Sequence, residues 1–264
     1  MSMPTRTPTT FEGYYADQGS RAALSVIPQR LCRHGLVPLR GLASRDDVLA
    51  FARRIMTLIP HRDSDGDGLT SIRDIGTTAH KEGFAGLGSG ELRAHTERSS
   101  IPDPPRLMLF VCQQPASNGG EVLLADGQAI YDDLVERHPE AVVELSRPGT
   151  AFFGDGGGHL SQVFTQHPGN RVSIRLRQDG LAQFSPMIQR YLPHLFEAIE
   201  AHQHSITLEP GQGYLIDNER WLHARAAFTG DRRCLRALGT PLRPLPRGFA
   251  VSSTPGQDLA RRRS

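Results

Sequence analysis

Apolar positions in "RDDVLAFARRIMTLI", residues 45–59, recur three and four residues apart. That spacing lines one face of a helix and predicts a helix over 45–59. Helical spacing returns in "QAIYDDLVERHPEAVVELS", with Asp126 placed as its N-cap, and in "SPMIQRYLPHLFEAIEAHQ" at 185–203. Elsewhere the period is two, or the run is apolar throughout. "RLMLFVCQQ" at 106–114 and "GEVLLADG" at 120–127 read as buried strands, and "RVSIRLRQDG" at 171–180 alternates as a half-buried strand does. "SITLEPGQGYLIDNERWLHARAAF" predicts strand, Pro-Gly turn and strand, and "RRCLRALGT" at 232–240 a last strand.

Residues 60–92 carry Gly, Asp and Ser with little periodicity and predict a long loop, a length that usually carries function. No repeat divides the chain. Many short strands with a few helices among them predict a mainly β fold with helical cover, a sandwich or jelly roll. The expected layout is a polar, disordered stretch over 1–20, one domain over 21–250, and a flexible basic tail over 251–264.

Composition narrows the function classes. At 264 residues and a formal net charge of +2, the chain can bury a sizeable core and carries no nucleic-acid footprint. No run approaches the roughly 20 apolar residues of a membrane helix. The start, "MSMPTRTPTTFEGYY", has no apolar core of a signal peptide, so the expectation is a cytoplasmic protein. Cys32, Cys112 and Cys234 are widely spaced and form no C-x-x-C pair, which predicts reduced, buried thiols.

Two stretches compete as metal sites. In "DSDGDGLTSIRD", Asp63, Asp65, Asp67, Gly68 and Asp74 match positions 1, 3, 5, 6 and 12 of a calcium loop. Three features oppose that reading: Asp stands where the bidentate Glu belongs, a glycine-rich segment replaces the exiting helix, and there is no partner loop. A non-catalytic calcium-binding module over 63–74 is therefore the minor alternative, and a polar turn is preferred.

The other stretch is "AHTER". On an extended strand His95 and Glu97 point to one face and can converge on an ion. Among the remaining histidines, His202 and His204 lie at a helix end, His138 precedes Pro139, and His159 and His167 lie in a Gly-rich loop. His223 stands apart, inside an apolar strand where a histidine is expensive to bury. Two histidines and a carboxylate make the facial triad that holds non-haem Fe(II) with positions open for oxygen chemistry. Most oxygenases of this kind consume 2-oxoglutarate, whose distal carboxylate suits arginine. Arg232 and Arg236 share a strand face shortly after His223, while Arg233 points away as a solvated charge.

Together these residues resemble the taurine dioxygenase and clavaminate synthase-like oxygenases. "LRAHTERS", "PPRLMLFVCQQPASNGGEVLLADG", "RVSIRLRQDG" and "LEPGQGYLIDNERWLHARAAFTGDRRCLRAL" carry the resemblance, over about residues 30–240. It implies a double-stranded β-helix (jelly roll, cupin-like) core, Fe(II) as cofactor, and 2-oxoglutarate and O₂ as cosubstrates. His95, Glu97 and His223 fall on the family's iron ligands, and Arg232 on the arginine that holds 2-oxoglutarate. Arg236 falls on a second arginine that often contacts an anionic substrate. Glu97 in place of Asp is similar to the clavaminate synthase branch and its amino-acid hydroxylases. A carboxylate there implies hydroxylation rather than halogenation.

One position departs from the pattern. The family often has a threonine contacting 2-oxoglutarate where this chain has Val122. The expected substrate is a small amino-acid-like molecule in natural-product biosynthesis, with Asp63 or Asp65 facing a substrate cation. Desaturation or cyclisation, or a carrier-bound or larger intermediate, are the alternatives within the same chemistry.

Overall fold

The computed structural model describes residues 16–17, 21–76 and 85–252. In chain order it runs β1 (Ala16–Asp17), α1 (Arg21–His34), β2 (Leu36–Arg40), α2 (Arg45–Ile55), β3 (Met56–Leu58), β4 (Thr70–Ile72), β5 (Leu92–His95), β6 (Leu107–Gln114), β7 (Asn118–Gly119) and β8 (Val122–Asp126). It continues with α3 (Gly127–Arg137), α4 (Pro139–Leu145), β9 (Ala151–Phe153), β10 (His159–Ser161), β11 (Phe164–His167), β12 (Arg171–Ile174), β13 (Ala182–Phe184), α5 (Pro186–Gln189) and α6 (Leu192–Ala201). β14 (Gln203–Ile206), β15 (Gly213–Asp217), β16 (Trp221–Arg225), β17 (Phe228–Thr229), β18 (Arg233–Pro241) and β19 (Phe249–Ala250) complete it. The fold is strand-rich with helices packed outside the strands.

Two sheets organise the molecule. The larger has the order β1-β2-β15-β6-β18-β3, with β4 also on β18; the smaller has the order β14-β8-β16-β5. The apolar run of β6 is explained by its two covered faces. Leu107, Leu109 and Val111 pack with Ile27, Val48 and Phe51 of α1 and α2. Met108, Phe110 and Cys112 pack instead with Val122, Leu124 and Trp221 of the smaller sheet. Successive strand residues point to opposite faces, so burial on both sides erases the polar alternation. On its other face, the smaller sheet offers Ala125, Leu222 and Ala224 to α3, α4 and α6. The layers are thus helices, large sheet, small sheet, helices.

That parity places polar groups on the inner face. On β16, Leu222 and Ala224 face the outer helices and Trp221 faces the other sheet, so His223 and Arg225 share the inner face. On β18, Leu235 and Ala237 face outward and Cys234 and Leu238 inward, which puts Arg236 inside.

Several expected boundaries move. The 45–59 helix stops at Ile55, because Met56–Leu58 pair with Gly239–Pro241 as β3. Its start carries a capping box between Ser44 and Asp47. The loop expected over 60–92 contains β4 and the start of β5, and 77–84 lie outside the described residues. Asp126 does cap α3, accepting from Gln128 N at 3.0 Å, but the helix breaks at His138-Pro139 and resumes as α4. The segment at 185–203 forms two helices rather than one, and the strand expected over 171–180 ends at Ile174. His159 and His167 lie on β10 and β11, not in a loop. Cys32 is exposed rather than buried.

Of the terminal stretches expected to be disordered, 1–15, 18–20 and 253–264 lie outside the described residues. Ala16–Asp17 form a strand beside β2, and Val251 is buried, its N–H donating to Asn170 O. No helix among the described residues is long and apolar enough to cross a membrane.

Candidate metal and cosubstrate site

β5, β16 and β8 lie side by side, with His223 opposite both His95 and Leu124 in the register. The His95 and His223 rings sit 4.1 Å apart, tilted by 48°. His95 is the last residue of β5, and Glu97 belongs to the turn that follows. The two do not share a strand face as the i, i+2 argument supposed; the chain turns to bring the carboxylate inward. One ligand atom from each of His95, Glu97 and His223 lies within 4.8 Å of the others. Among the described residues no other group of three His, Cys, Asp or Glu side chains is placed this way.

The chemistry of these donors fits a divalent metal. His95 Nδ1 sits 2.8 Å from Arg93 O, which makes Nδ1 the protonated nitrogen and leaves Nε2 its lone pair. His223 Nε2 is 3.8 Å from Glu97 Oε2. Burial holds His223 well below the ordinary imidazole value, and His95 and Arg236 push it the same way. Burial also lowers His95, against the opposing pull of Glu97. Both rings are therefore neutral ligands. Burial raises Glu97, but the charge and hydrogen bond of Arg236 lead the causes that outweigh it and keep the group a carboxylate. Arg236 Nη1 donates to Glu97 Oε2 at 2.7 Å.

Glu97 is 5% exposed, and its backbone is held by a residue that sequence reasoning missed. Glu97 N donates to Asn218 Oδ1 at 2.7 Å, while Asn218 Nδ2 donates to Glu97 O and Pro105 O at 3.0 and 2.9 Å. Asn218 follows Asp217, whose carboxylate takes a two-pronged grip from Arg106. Two polar residues closing an apolar strand were the available signal.

The triad opens on a cavity of about 630 Å³ that Val122, Arg232, Arg236 and Asp63 also line. Arg232 is 5% exposed, flanked by the rings of Phe110 and Phe228 at 5.6 and 5.7 Å, and no carboxylate pairs with it among the described residues. The "NGG" turn makes room for it. Gly120 adopts φ +76°, and a Cβ there would meet Arg232 Cδ at 3.1 Å. Val122 is buried on the same wall and offers no hydroxyl. Arg233 is exposed, as expected, and pairs with Asp231.

A second missed residue, Arg225, is 5% exposed and shares the His223 face of β16. It donates to the carbonyls of Gly86 and Gly90, while its Nε has no partner among the described residues. Burial, reinforced by Arg232, pushes it down to about 10. Two neighbouring buried guanidiniums make a strong demand for an anion.

The aspartates of the 63–74 loop separate. Asp63 lines the cavity beside His61, whose Nδ1 lies 3.3 Å from Asp63 Oδ2. His61 lines the cavity as well and was not among the expected residues. Asp65 does not line it. Arg45 Nη2 donates to Asp65 Oδ2 and Asp67 Oδ1, both at 2.7 Å, and its Nε to Asp67 Oδ2 at 2.8 Å. An arginine occupies the place a calcium ion would need. Asp65 is thus removed from the substrate-facing candidates, and the calcium loop from the metal candidates.

The chain matches the family described as taurine catabolism dioxygenase TauD, TfdA family over residues 13–238. It is 26% identical over 223 residues to FR-33289 synthase of Streptomyces rubellomurinus, covering 75% of this chain and 64% of that protein. The chain therefore spans somewhat less than two-thirds of this relative's length. In fold it is similar to asparagine oxygenase solved with Fe(II), (2S,3S)-3-hydroxyasparagine and succinate, with TM-score 0.68, 16% identity, and 83% and 78% of the two chains covered. It is also similar to the non-heme iron oxygenase OrfP solved with Fe, succinate and (3S)-hydroxy-L-Arg, with TM-score 0.65, 17% identity, and 84% and 80% covered.

Proposed function

The chain belongs to the taurine catabolism dioxygenase TauD, TfdA family, and from that membership we propose an iron(II)- and 2-oxoglutarate-dependent dioxygenase that hydroxylates an unactivated C–H bond of a small amino-acid-like substrate. One observation carries the reading: two neutral imidazoles and a carboxylate meet at one wall of a cavity that also receives a buried arginine with no carboxylate partner among the described residues. The facing sheets support a double-stranded β-helix, or jelly roll, as the core of a single oxygenase domain over 21–250.

His95, Glu97 and His223 would hold Fe(II), leaving open positions on the cavity side. With 2-oxoglutarate and O₂, the bound iron supplies the oxidising power, and succinate and CO₂ leave as co-products. Arg232 would pair with the distal carboxylate of 2-oxoglutarate. Phe110 and Phe228 keep that pair away from water, which strengthens it. Val122 offers no hydroxyl to the cosubstrate, so Arg232 would supply most of the orientation. Arg236 holds the Glu97 carboxylate and faces the substrate space.

Both signs of charge line that space. Arg177 lies there paired with Asp179 and Arg236 paired with Glu97, and Asp63 and Asp155 add further carboxylates. Such a lining suits a zwitterion better than a simple anion. The solved neighbours hold hydroxylated asparagine and arginine, and a relative named as a synthase agrees with natural-product biosynthesis. Within this reading, Asp63 faces the substrate ammonium.

The test is anaerobic. Fe(II) and then 2-oxoglutarate are added to the chain, and the weak visible charge-transfer band of the chelate is sought. The band is expected in the wild type and absent in His95→Ala. Candidate amino acids are then screened by how they perturb it and by the gain of one oxygen in mass. Wild-type protein that binds Fe(II) yet gives no band with 2-oxoglutarate would sink the proposal.

A further inference from the structure

We propose that Cys112 and Cys234 are an oxidisable thiol pair, which a peroxide-class oxidant converts to an intramolecular disulfide across the β6–β18 ladder. The inference is independent of the metal site. It starts from register: Cys234 lies directly opposite Cys112. Cys112 N donates to Gln212 O, and Cys112 O accepts from Gly211 N, both at 2.8 Å. Both backbone groups of Cys112 are therefore turned to the β15 side. Against β18, Cys112 and Cys234 form a non-hydrogen-bonded antiparallel pair, the kind in which side chains approach closest. Such pairs have Cα atoms about 4.5 Å apart, inside the roughly 4.4–6.8 Å range that a disulfide bridges.

The side chains also meet. Both thiols point to the inner face, in one cluster with Phe110 and Tyr214. The Cys234 thiol hydrogen-bonds to Cys112, which lowers Cys112 and raises Cys234. The Arg232 charge favours the thiolate at both. Whichever sulfur is oxidised first, the other lies directly opposite it to resolve the sulfenic acid. Each is at most 3% exposed, so the oxidant has to be a small peroxide.

The chemistry balances. One thiolate of the pair attacks one peroxide oxygen, the S–O bond forms, the O–O bond breaks, and the departing alkoxide takes up the proton the thiol released. The second sulfur then attacks the sulfenic acid of the first, the S–S bond forms, and water leaves with the second thiol's proton. Two electrons pass from the thiols to the peroxide. Cys32 is exposed on α1 and serves as an internal control.

The experiment treats the full chain with stoichiometric tert-butyl hydroperoxide, in the presence of a chelator that suppresses iron-driven radical chemistry. Unfolding in iodoacetamide and peptide mapping follow. The expected result is a Cys112–Cys234 cross-linked peptide lighter by two hydrogens, with those two of the three thiols lost together and restored by dithiothreitol. Cys32→Ser, a surface change, should form the same cross-link at the same rate. Cys112 and Cys234 both remaining alkylatable while Cys32 is oxidised would overturn the proposal. A cross-link that forms only after denaturation would do so too.

Discussion

Asn218 grips the Glu97 peptide from both ends, accepting from its N–H at 2.7 Å and donating to its C=O at 3.0 Å. A turn residue outside any strand is thereby held as firmly as one inside a sheet. Replacing Asn218 by Ala strands buried backbone donors and acceptors, at a cost on the order of 2–3 kcal/mol. Because the Glu97 carboxylate is then less well aimed, metal affinity should fall roughly 10–100-fold, the usual effect of losing a group that orients a ligand. Denaturant unfolding and a Co(II) titration read the two effects separately. Lost stability with unchanged Co(II) affinity would make Asn218 a purely structural residue.

Among the described residues Arg232 has no carboxylate partner, and Arg225 stands beside it on the next inner-face position after His223. Replacing Arg232 by Met keeps most of the volume and removes the charge. The expected change is a rise of about 100-fold in the 2-oxoglutarate concentration for half-saturation, the scale of a buried charge-assisted pair. Fe(II) affinity should stay within a few-fold of wild type. Equal 2-oxoglutarate affinity in Arg232→Met would remove the arginine from the cosubstrate site.

The sequence made His223 and Arg236 legible because each is a costly residue placed inside an apolar strand. His223 and Arg236 replace apolar side chains on strands whose neighbours alternate cleanly between two cores. What stayed hidden depends on distant partners. Asn218 acts on Glu97 across 121 positions, and Arg225 acts on Gly86 and Gly90 across 139 and 135. The end of α2 at Ile55 is likewise a tertiary effect, since β18 offers a ladder that outweighs one further helical turn. Local spacing also misjudged His95 and Glu97: their meeting is real, but a turn produces it rather than a shared strand face.

Acid should destabilise the metal-free chain below about pH 6.5, the ordinary imidazole value. His95, His223 and His61 are all lowered in the folded chain, with burial the leading cause in each. Between their folded values and 6.5 the unfolded chain binds more protons, so stability rises with pH across that window and is lost as pH falls through it. Melting temperatures from pH 8 to 5 should decline, and His223→Gln should flatten the decline. Metal binding should weaken over the same range, since an imidazolium cannot ligate. A His223→Gln profile parallel to wild type would show that His223 does not carry this dependence.

Calcium should leave the melting temperature unchanged. Arg45 reaches Asp67 with two nitrogens and Asp65 with one, and Ser71 Oγ accepts from its Nη1 at 3.1 Å. Asp67 also accepts from Leu69 N at 3.0 Å, so its carboxylate closes the turn as well as the ion pair. The Arg45 hydrogen bonds hold Asp67 below the ordinary carboxylate range. A calcium ion would have to displace this guanidinium before it met two of its expected ligands. Arg45→Ala should loosen the loop and lower the melting temperature by a few degrees at most, because the pair is partly exposed and screened. A ligand that binds only the folded chain raises stability by RT ln(1 + [L]/Kd). A clear rise with millimolar Ca²⁺ in the wild type would therefore restore the aspartate loop as a metal site.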